Sequence, residues 1–454
     1  MKIIIIGDGK VGYTLAENLS GDEDNEVTII DKNAEALRDT IESLDVRCIK
    51  GNGVRTSTLL DAGVRETDLL IAATTSDEMN MVCCLTAKKL GAQHTAARIR
   101  DPEYADELSQ LRFDLELDMI INPEQAVASE IVKLLGFPSN VKIETFAKGF
   151  VEMVEILATP NLTILNMTLK EISKRISASI LIGVILRDGK VIIPDGDAKI
   201  LENDKLYIVG QPARIFHFCT RIGIQTRKIK NVMIVGGGRI AYYLAKYLAE
   251  IDVRAKIIES NHARCQELSE LLPDTLIIQG DGSDEKMLRS ENVGDMDSFI
   301  AVTGMDEENL IIALLAKRLG AANAVAKINR MFYVDIINDI GIDHIVSPKL
   351  VTSNYFLRFV RGLKNAMGNP VEMLYQIVGG LAEVIEFIAQ PSTRLLDIPL
   401  KKLKLVEGVL IAIVARKNEI IIPHGNDLIK EGDRVILITN GLALSDLNDI
   451  LAGD

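Results

Sequence analysis

The stretch Lys2-Ile3-Ile4-Ile5-Ile6-Gly7-Asp8-Gly9-Lys10-Val11-Gly12 decides the fold of the N-terminal part of this chain. Its four consecutive isoleucines lack polar alternation, which predicts a parallel strand covered on both faces. Gly7, Gly9 and Gly12 then follow with the spacing G-x-G-x-x-G, and an apolar helical pattern begins at Val11. A strand, a glycine loop and a helix in this order predict a dinucleotide-binding turn, in which free N–H groups at the helix start face a pyrophosphate.

The same pattern returns later in the chain, because Gly236 lies 229 positions after Gly7. The second loop reads Gly236-Gly237-Gly238-Arg239-Ile240-Ala241, with alanine in place of the third glycine. The same offset aligns Asn52 with Asp281, Thr74 with Thr303, and Arg98 with Lys327. So long a period indicates repeated domains and not a solenoid, so the chain is predicted to hold two nucleotide sites.

An acidic residue ends the second predicted strand of each copy. Asp31 lies about 20 residues after the third glycine, where a dinucleotide-binding fold places a carboxylate against the ribose hydroxyls. A carboxylate there repels a 2′-phosphate, so NAD is favoured over NADP, and an adenosine phosphate with free ribose hydroxyls also fits. Glu259 is the corresponding acid of the second copy. The alternative is that an acid at this position only caps the next helix.

Cations are the remaining polar signal. Arg98 lies on a strand of small and apolar residues, so it needs a partner, either a phosphate or carboxylate ligand or an acid of the helix that begins at Asp77. Lys10 and Arg239 stand at helix starts, where a cation opposes the helix macrodipole unless an anion lies between them. The alternative for these two is a solvated surface charge.

The predicted sites therefore contain glycines, an acid, strand-end polar groups and a cation in both copies. The first site is predicted to comprise Gly7, Asp8, Gly9, Lys10, Val11, Gly12, Asp31, Asn52, Thr74, Thr75 and Arg98. The second is predicted to comprise Gly236, Gly237, Gly238, Arg239, Ile240, Glu259, Asp281, Thr303 and Lys327.

Composition excludes several classes of function. The chain has 454 residues and a formal net charge of −13, which argues against nucleic acid and anionic lipid as direct partners. Its five cysteines form no CxxC pair, which indicates reduced thiols in a cytosolic protein. Charged residues interrupt the first apolar run, so no signal peptide is expected, and no apolar stretch reaches the ~20 residues that a membrane helix needs.

The fold class is predicted as α/β, with two Rossmann-type doubly wound parallel sheets that are each followed by a small α+β domain. The expected boundaries are 1–139 and 228–368 for the nucleotide-binding domains, and 140–227 and 369–454 for the small domains. The helix predicted from Pro348 carries more apolar surface than one helix face needs. It predicts contact with a partner domain in an oligomer, or else coverage of its own small domain.

A Rossmann domain followed by a small α+β domain, both duplicated in one chain, resembles the RCK (KTN) family of regulators of potassium transport. The tandem arrangement without a membrane segment is most similar to the nucleotide-binding subunits of Trk-type potassium-uptake systems. The resemblance covers the whole chain, although Gly237, Ala241 and Glu259 make the second loop slightly different. Whether both sites hold the same ligand therefore stays open.

The resemblance implies a cytoplasmic regulator and not an enzyme. Family N-terminal domains bind NAD+ or NADH, or ATP and ADP, and assemble into a ring beneath a membrane-embedded potassium transporter of the TrkH or TrkG type. The chain would then lie on the inner face of the membrane through this partner, as a homo-oligomer without nucleic acid, metal or direct membrane insertion.

The rival hypothesis is an NAD-dependent oxidoreductase, which fits the two glycine loops equally well. Hydride transfer needs an acid or base beside the nicotinamide. The five histidines are scattered, and none recurs in the second copy. The sequence therefore favours a regulator without catalytic residues.

Overall fold

This computed structural model describes the chain except residues 23, 103, 105–115, 139–140, 147–149, 177–178, 225, 227, 330–340, 366–370, 378–380, 418, 443, 445 and 453–454. The described residues form two compact units. The first unit contains Met1–Leu135 and Ile229–Leu357, and the second contains Gly136–Lys228 and Arg358–Asp454. Each unit thus combines segments from both sequence repeats, and the four separate domain boundaries drawn from sequence stay a prediction.

The first unit contains two six-stranded parallel sheets with the strand order 3-2-1-4-5-6, the order of a doubly wound nucleotide-binding fold. The first sheet consists of β1 (Lys2–Ile6), β2 (Glu26–Asp31), β3 (Arg47–Lys50), β4 (Leu69–Ala72), β5 (His94–Arg98) and β6 (Met119–Ile121). Its helices are α1 (Lys10–Ser20), α2 (Ala34–Ser43), α3 (Thr56–Asp61), α4 (Asp77–Leu90) and α5 (Pro123–Leu134), with a 3₁₀ turn at Val64–Glu66. The predicted α/β class is confirmed.

The second sheet of this unit repeats the first. Its strands are β12 (Asn231–Val235), β13 (Arg254–Glu259), β14 (Leu276–Gln279), β15 (Ser298–Ala301), β16 (Ala324–Lys327) and β17 (His344–Val346). Its helices are α8 (Arg239–Glu250), α9 (His262–Leu271), α10 (Glu285–Ser290), α11 (Asp306–Arg318) and α12 (Pro348–Asn365), with a 3₁₀ turn at Val293–Asp295. The isoleucine-rich strand β1 is buried along Ile3–Ile6, as its unbroken apolar run predicts.

The second unit contains two five-stranded antiparallel sheets, ordered β10-β9-β11-β8-β7 and β18-β19-β22-β20-β21. The first has strands β7 (Lys142–Phe146), β8 (Val151–Leu157), β9 (Ile180–Arg187), β10 (Lys190–Ile192) and β11 (Lys205–Gly210), and helices α6 (Leu169–Arg175) and α7 (Pro212–Ile222). The second has strands β18 (Val371–Ile377), β19 (Ala382–Ile388), β20 (Val409–Arg416), β21 (Glu419–Ile421) and β22 (Arg434–Thr439), and 3₁₀ turns at Leu400–Lys402 and Leu447–Ile450.

The first small domain has two elements that the sequence analysis did not predict, strand β7 and helix α7. The signal for α7 was present, because Pro212 occupies a first helical position and Gly223 ends the helix in a left-handed conformation. Its buried side chains also recur with helical spacing, at Ile215, Phe218, Cys219 and Ile222.

Helix α5 of the first repeat packs on helix α8 of the second repeat. Val127, Ala128 and Ile131 of α5 share one hydrophobic cluster with the buried face of α8. At the start of α5, Asn122 Nδ2 donates a hydrogen bond to the hydroxyl of the buried Tyr243 at 2.9 Å. The two Rossmann halves are therefore joined through this face of α5.

Helix α12 has Phe356 and Val360 fully covered within the single chain. These two side chains therefore need no second copy to remove them from water. The predicted contact of this helix with an oligomeric partner stays a prediction. Among the described residues, no helix has the length and hydropathy of a membrane span.

Replacing Ile131 by alanine should lower the free energy of unfolding by about 2–5 kcal/mol, since its side chain is fully buried between the two halves. Ile41→Ala is the matched control, because that side chain is 58% exposed and should change stability by less than ~0.5 kcal/mol. Urea denaturation followed by circular dichroism measures both. Equal shifts of the two midpoints would contradict the packing described for α5.

Candidate functional site

A cleft of about 610 Å³ lies at the carboxyl ends of the first parallel sheet. Of the residues predicted for the first site, every one except Gly12 lines it, and Lys32, Asn33, Gly51, Gly53, Ser76 and Met79 are among the further lining residues. Gly12 lies beneath the loop, where an added Cβ would stand 1.8 Å from the carbonyl oxygen of Gly7. The structure thus brings the predicted first-site residues together, with Gly12 as a packing residue.

The loop geometry explains two of its glycines. Gly7 has φ +101°, and a Cβ there would stand 3.1 Å from the backbone of Ala73 and Thr74. Gly9 has open space where a Cβ would project, and it precedes α1 without any side-chain cap. The first N–H groups of α1 are therefore free of a cap at the cleft, and the same holds for Gly238 before α8.

Asp31 holds the glycine loop in place. Its Oδ2 accepts a hydrogen bond from the backbone N–H of Asp8 at 2.6 Å, and its Oδ1 accepts one from Asn33 at 2.7 Å. Glu259 does the same in the second copy, where Oε2 accepts from Gly237 at 2.6 Å and Oε1 from Asn261 at 2.7 Å. The acid identified from sequence therefore orders the loop besides lining the cleft.

The two loops differ at the residue after the first glycine. The side chain of Asp8 is buried, Oδ2 accepts a hydrogen bond from Thr40 at 2.7 Å, and Oδ1 has no partner in the described part of the chain. Burial raises the pKa of the Asp8 carboxyl, and the neighbouring Asp31 and Asp39 add to the effect. Gly237 takes this position in the second loop, and Leu268 stands where its Cβ would project.

The buried side-chain amide of Asn80 links Thr74, which follows β4, to Arg98 on β5. Asn80 is fully buried, its Oδ1 accepts from the backbone N–H of Thr74 at 2.8 Å, and its Nδ2 donates to the carbonyl of Arg98 at 2.8 Å. Asn309 makes the same two hydrogen bonds with Thr303 and Lys327. Sequence analysis aligned neither asparagine with a site, although both recur at the repeat offset.

Arg98 has no acidic partner within 4 Å among the described residues, so the alternative of an ion pair with the α4 acids does not hold. Its Nη1 donates to the Thr74 carbonyl at 3.2 Å, and its buried Nε has no hydrogen-bond partner. Asp77 instead accepts from the backbone N–H groups of Arg100 and Asp101 at 2.8 Å each. Burial lowers the pKa of Arg98, and the neighbouring Arg100 adds to the effect.

Lys327 is the corresponding cation of the second copy. Its Nζ donates to the carbonyl of Thr303. Burial lowers its pKa, Asp306 and Glu124 partly offset this, and Lys10 of the first loop lowers it further. Lys10 of the first loop and Lys327 of the second copy therefore lie within electrostatic reach of each other.

The second cleft has a volume of about 960 Å³ and contains every residue predicted for the second site. Its wall also includes four residues of the first repeat, namely Arg100, Asp101, Pro102 and Glu124. Arg239 Nη2 lies 4.0 Å from Asp101 Oδ2, so this loop cation has an acid beside it from the other repeat. Sequence analysis missed these residues because nothing in one repeat indicates which surface of the other will cover it.

The comparisons with known proteins agree with this architecture. The TrkA-N domain family matches residues 3–123 and 232–348, and the TrkA-C domain family matches residues 153–223 and 384–452. "Trk system potassium uptake protein TrkA homolog 1" of Methanosarcina mazei is 36% identical over 98% of this chain and 99% of its own length. "Trk system potassium uptake protein TrkA" of Vibrio alginolyticus is 34% identical over 98% of each chain.

Among solved structures, the one described as "GsuK channel bound to NAD" superposes with a TM-score of 0.62. It is 18% identical and covers 97% of this chain and 76% of its own, which shows a shared fold. The tandem Rossmann and small domains, the two matched family domains in both repeats and the full-length relatives lead to one assignment: the chain belongs to the TrkA family of Trk potassium-uptake proteins, with TrkA-N and TrkA-C domains in tandem.

Proposed function

We propose that this chain is a nucleotide-binding regulatory subunit that controls a membrane-embedded potassium-uptake protein of the TrkH or TrkG type. The observation that carries the proposal is the full-length similarity to Trk potassium uptake proteins, over a chain whose two clefts repeat the same acid, glycine loop and buried cation. The proposed ligands are NAD+ or NADH, or ATP and ADP.

The residues present fit such a ligand. The uncapped start of α1, the open space at Gly9 and the unpartnered Nε of Arg98 suit the phosphates. Asp31 suits the ribose hydroxyls, because it keeps a carboxylate at the strand end where a 2′-phosphate would be repelled. In the second cleft, the phosphates are assigned to Gly238, Arg239 and Lys327, and the ribose hydroxyls to Glu259. The bound nucleotide supplies anionic charge and shape, and the chain orients it.

Binding energy in these clefts would act on the neighbouring elements. Helix α8 starts at the second glycine loop and packs on α5, and α5 ends at Leu134, two residues before the second structural unit begins at Gly136. A ligand that prefers one position of α8 would therefore bias the chain that leads into the first small domain. In a cytoplasmic ring of copies, attached to the membrane through the transporter, such a bias would reach the transporter.

The oxidoreductase alternative finds less support in the clefts. Neither cleft is lined by a histidine within the described residues, and the groups beside Thr74 and Thr303 are cations already bonded to backbone carbonyls. A regulator needs binding only, so it does not require a proton donor placed beside a nicotinamide.

Asp31→Ala should weaken NADH binding at the first cleft by about ten- to a hundredfold, since it removes hydrogen bonds to a charged group and releases the Asp8 N–H. Calorimetric titration of the full chain measures it, and the second cleft should keep its affinity. Asp61→Ala, a change of the same kind at an exposed position, is the control. If neither cleft loses affinity for NADH in the Asp31 variant, Asp31 is not part of the binding site.

Gly9→Val and Gly238→Val should each abolish binding at one cleft while leaving the fold intact, because both side chains would project into open space at a non-strained backbone position. Titration should lose one site in each variant and both in the double variant, with unchanged circular dichroism. In cells that depend on this chain for potassium uptake, the double variant should lose nucleotide-responsive uptake. Normal uptake and response in the double variant would refute the proposed function.

Binding at the second cleft should weaken at alkaline pH. Burial lowers the pKa of Lys327, so the charge that attracts phosphate is present below that lowered pKa and is lost as the pH rises through it. Lys327→Arg should remove the decline, since guanidinium stays protonated. NADH titrations between about pH 7 and pH 10 test this, with the Arg98 cleft as internal reference. Identical pH profiles of the wild type and the arginine variant would contradict it.

A further inference from the structure

Glu124 is a buried acid that the first repeat contributes to the second cleft. It occupies the first turn of α5, and its side chain is 11% exposed. Oε1 accepts a hydrogen bond from Arg100 Nε at 2.7 Å and forms an ion pair with Arg100 Nη2 at 2.5 Å, whereas Oε2 has no partner among the described residues. A buried carboxylate oxygen without a donor is unusual enough to require an explanation.

The position of Glu124 in the second cleft indicates which part of a bound ligand it would contact. The glycine loop and Arg239 mark the place of the pyrophosphate, and Glu259 and Asp281 mark the ribose next to the adenine. The cleft continues past the loop to Thr303 and Lys327, and Glu124, which also lines it, lies within electrostatic reach of Lys327. The distal half of a ligand would lie there.

The two clefts also differ in charge. Two carboxylates and three cations line the first cleft: Asp8, Asp31, Lys10, Lys32 and Arg98. Six carboxylates line the second: Asp101, Glu124, Glu259, Glu267, Asp281 and Glu308. Its four cations are Arg100, Arg239, Arg264 and Lys327. The second cleft is therefore the less favourable of the two for a terminal phosphate.

The repeat itself shows that this acid is not a general feature of the fold. Pro123-Glu124 begins α5, whereas Pro348-Lys349 begins the corresponding helix α12, so the charge is reversed between the copies. Glu124 thus lines the second cleft and not the first, although its charge also reaches Arg98 of the first cleft.

We propose that Glu124 determines ligand specificity across the domain boundary, so that the second cleft selects a dinucleotide ending in a donor-bearing nucleoside, such as NAD(H), over a nucleotide ending in a terminal phosphate, such as ATP. Hydroxyl and amide donors of the distal nucleoside satisfy Oε2, whereas a terminal phosphate has no donor for Oε2 and adds negative charge to a cleft in which carboxylates outnumber cations. The inference rests on the proposed nucleotide-binding function and adds a preference to one of its two sites.

The test uses the full chain with Gly9→Val, so that titrations report the second cleft. NADH and ATP affinities are measured by calorimetry without divalent cations. Adding Glu124→Gln should strengthen ATP binding and shift the NADH-to-ATP affinity ratio by about tenfold toward ATP. Glu124→Asp, which keeps the charge, should retain the discrimination against ATP.

Glu130→Gln is the matched control, because it removes the same charge from the same helix at a residue paired with Lys133 and absent from the cleft wall. Its ratio should equal that of the parent. An unchanged ratio in Glu124→Gln, or an equal change in Glu130→Gln, overturns the inference while the proposed function stands. Failure of the wild-type chain to bind either nucleotide overturns both.

Discussion

A carboxylate bonded to a backbone N–H of the glycine loop is the constraint on which both clefts depend. Asp31 accepts from Asp8 at 2.6 Å, and Glu259 accepts from Gly237 at the same distance. This bond fixes where the loop leaves the sheet, and hence where the uncapped helix start points its N–H groups. The longer side chain of Glu259 lies against Gly237. An aspartate at position 237, like Asp8 in the first loop, would therefore not fit beside Glu259. The loop residue and the acid therefore both differ between the two copies.

Burial of a cation beside each loop is the second constraint, and it is costly without an anion. Arg98 and Lys327 are both held by a strand-end carbonyl whose threonine is in turn fixed by a buried asparagine, Asn80 or Asn309. Desolvation disfavours the charged form of such groups, which their lowered pKa values express. A bound phosphate would restore the favourable environment of the charge, which is why these positions suit anionic ligands.

Both repeats contain this arrangement, and packing between the repeats makes the two clefts different. Because α5 of the first repeat covers α8 of the second, residues that follow β5 and begin α5 enter the wall of the second cleft. The same packing joins the helix that follows the second glycine loop to the helix that leads out of the first Rossmann half. The difference between the two clefts therefore arises from one contact.

The sequence by itself determined the α/β class, the two glycine loops, Asp31 with Glu259, and nearly every predicted lining residue, because these depend on local periodicity and on spacing within one βαβ unit. It also placed the start of α12 at Pro348, which lacks the N–H that a first helical position does not need. Only the tertiary structure decided that α5 packs on α8 of the other repeat, that Arg98 lacks an acidic partner among the described residues, and that Glu124 lines the second cleft. Those outcomes depend on contacts between residues far apart in the chain, and an amphipathic pattern shows that a face is buried without showing what buries it.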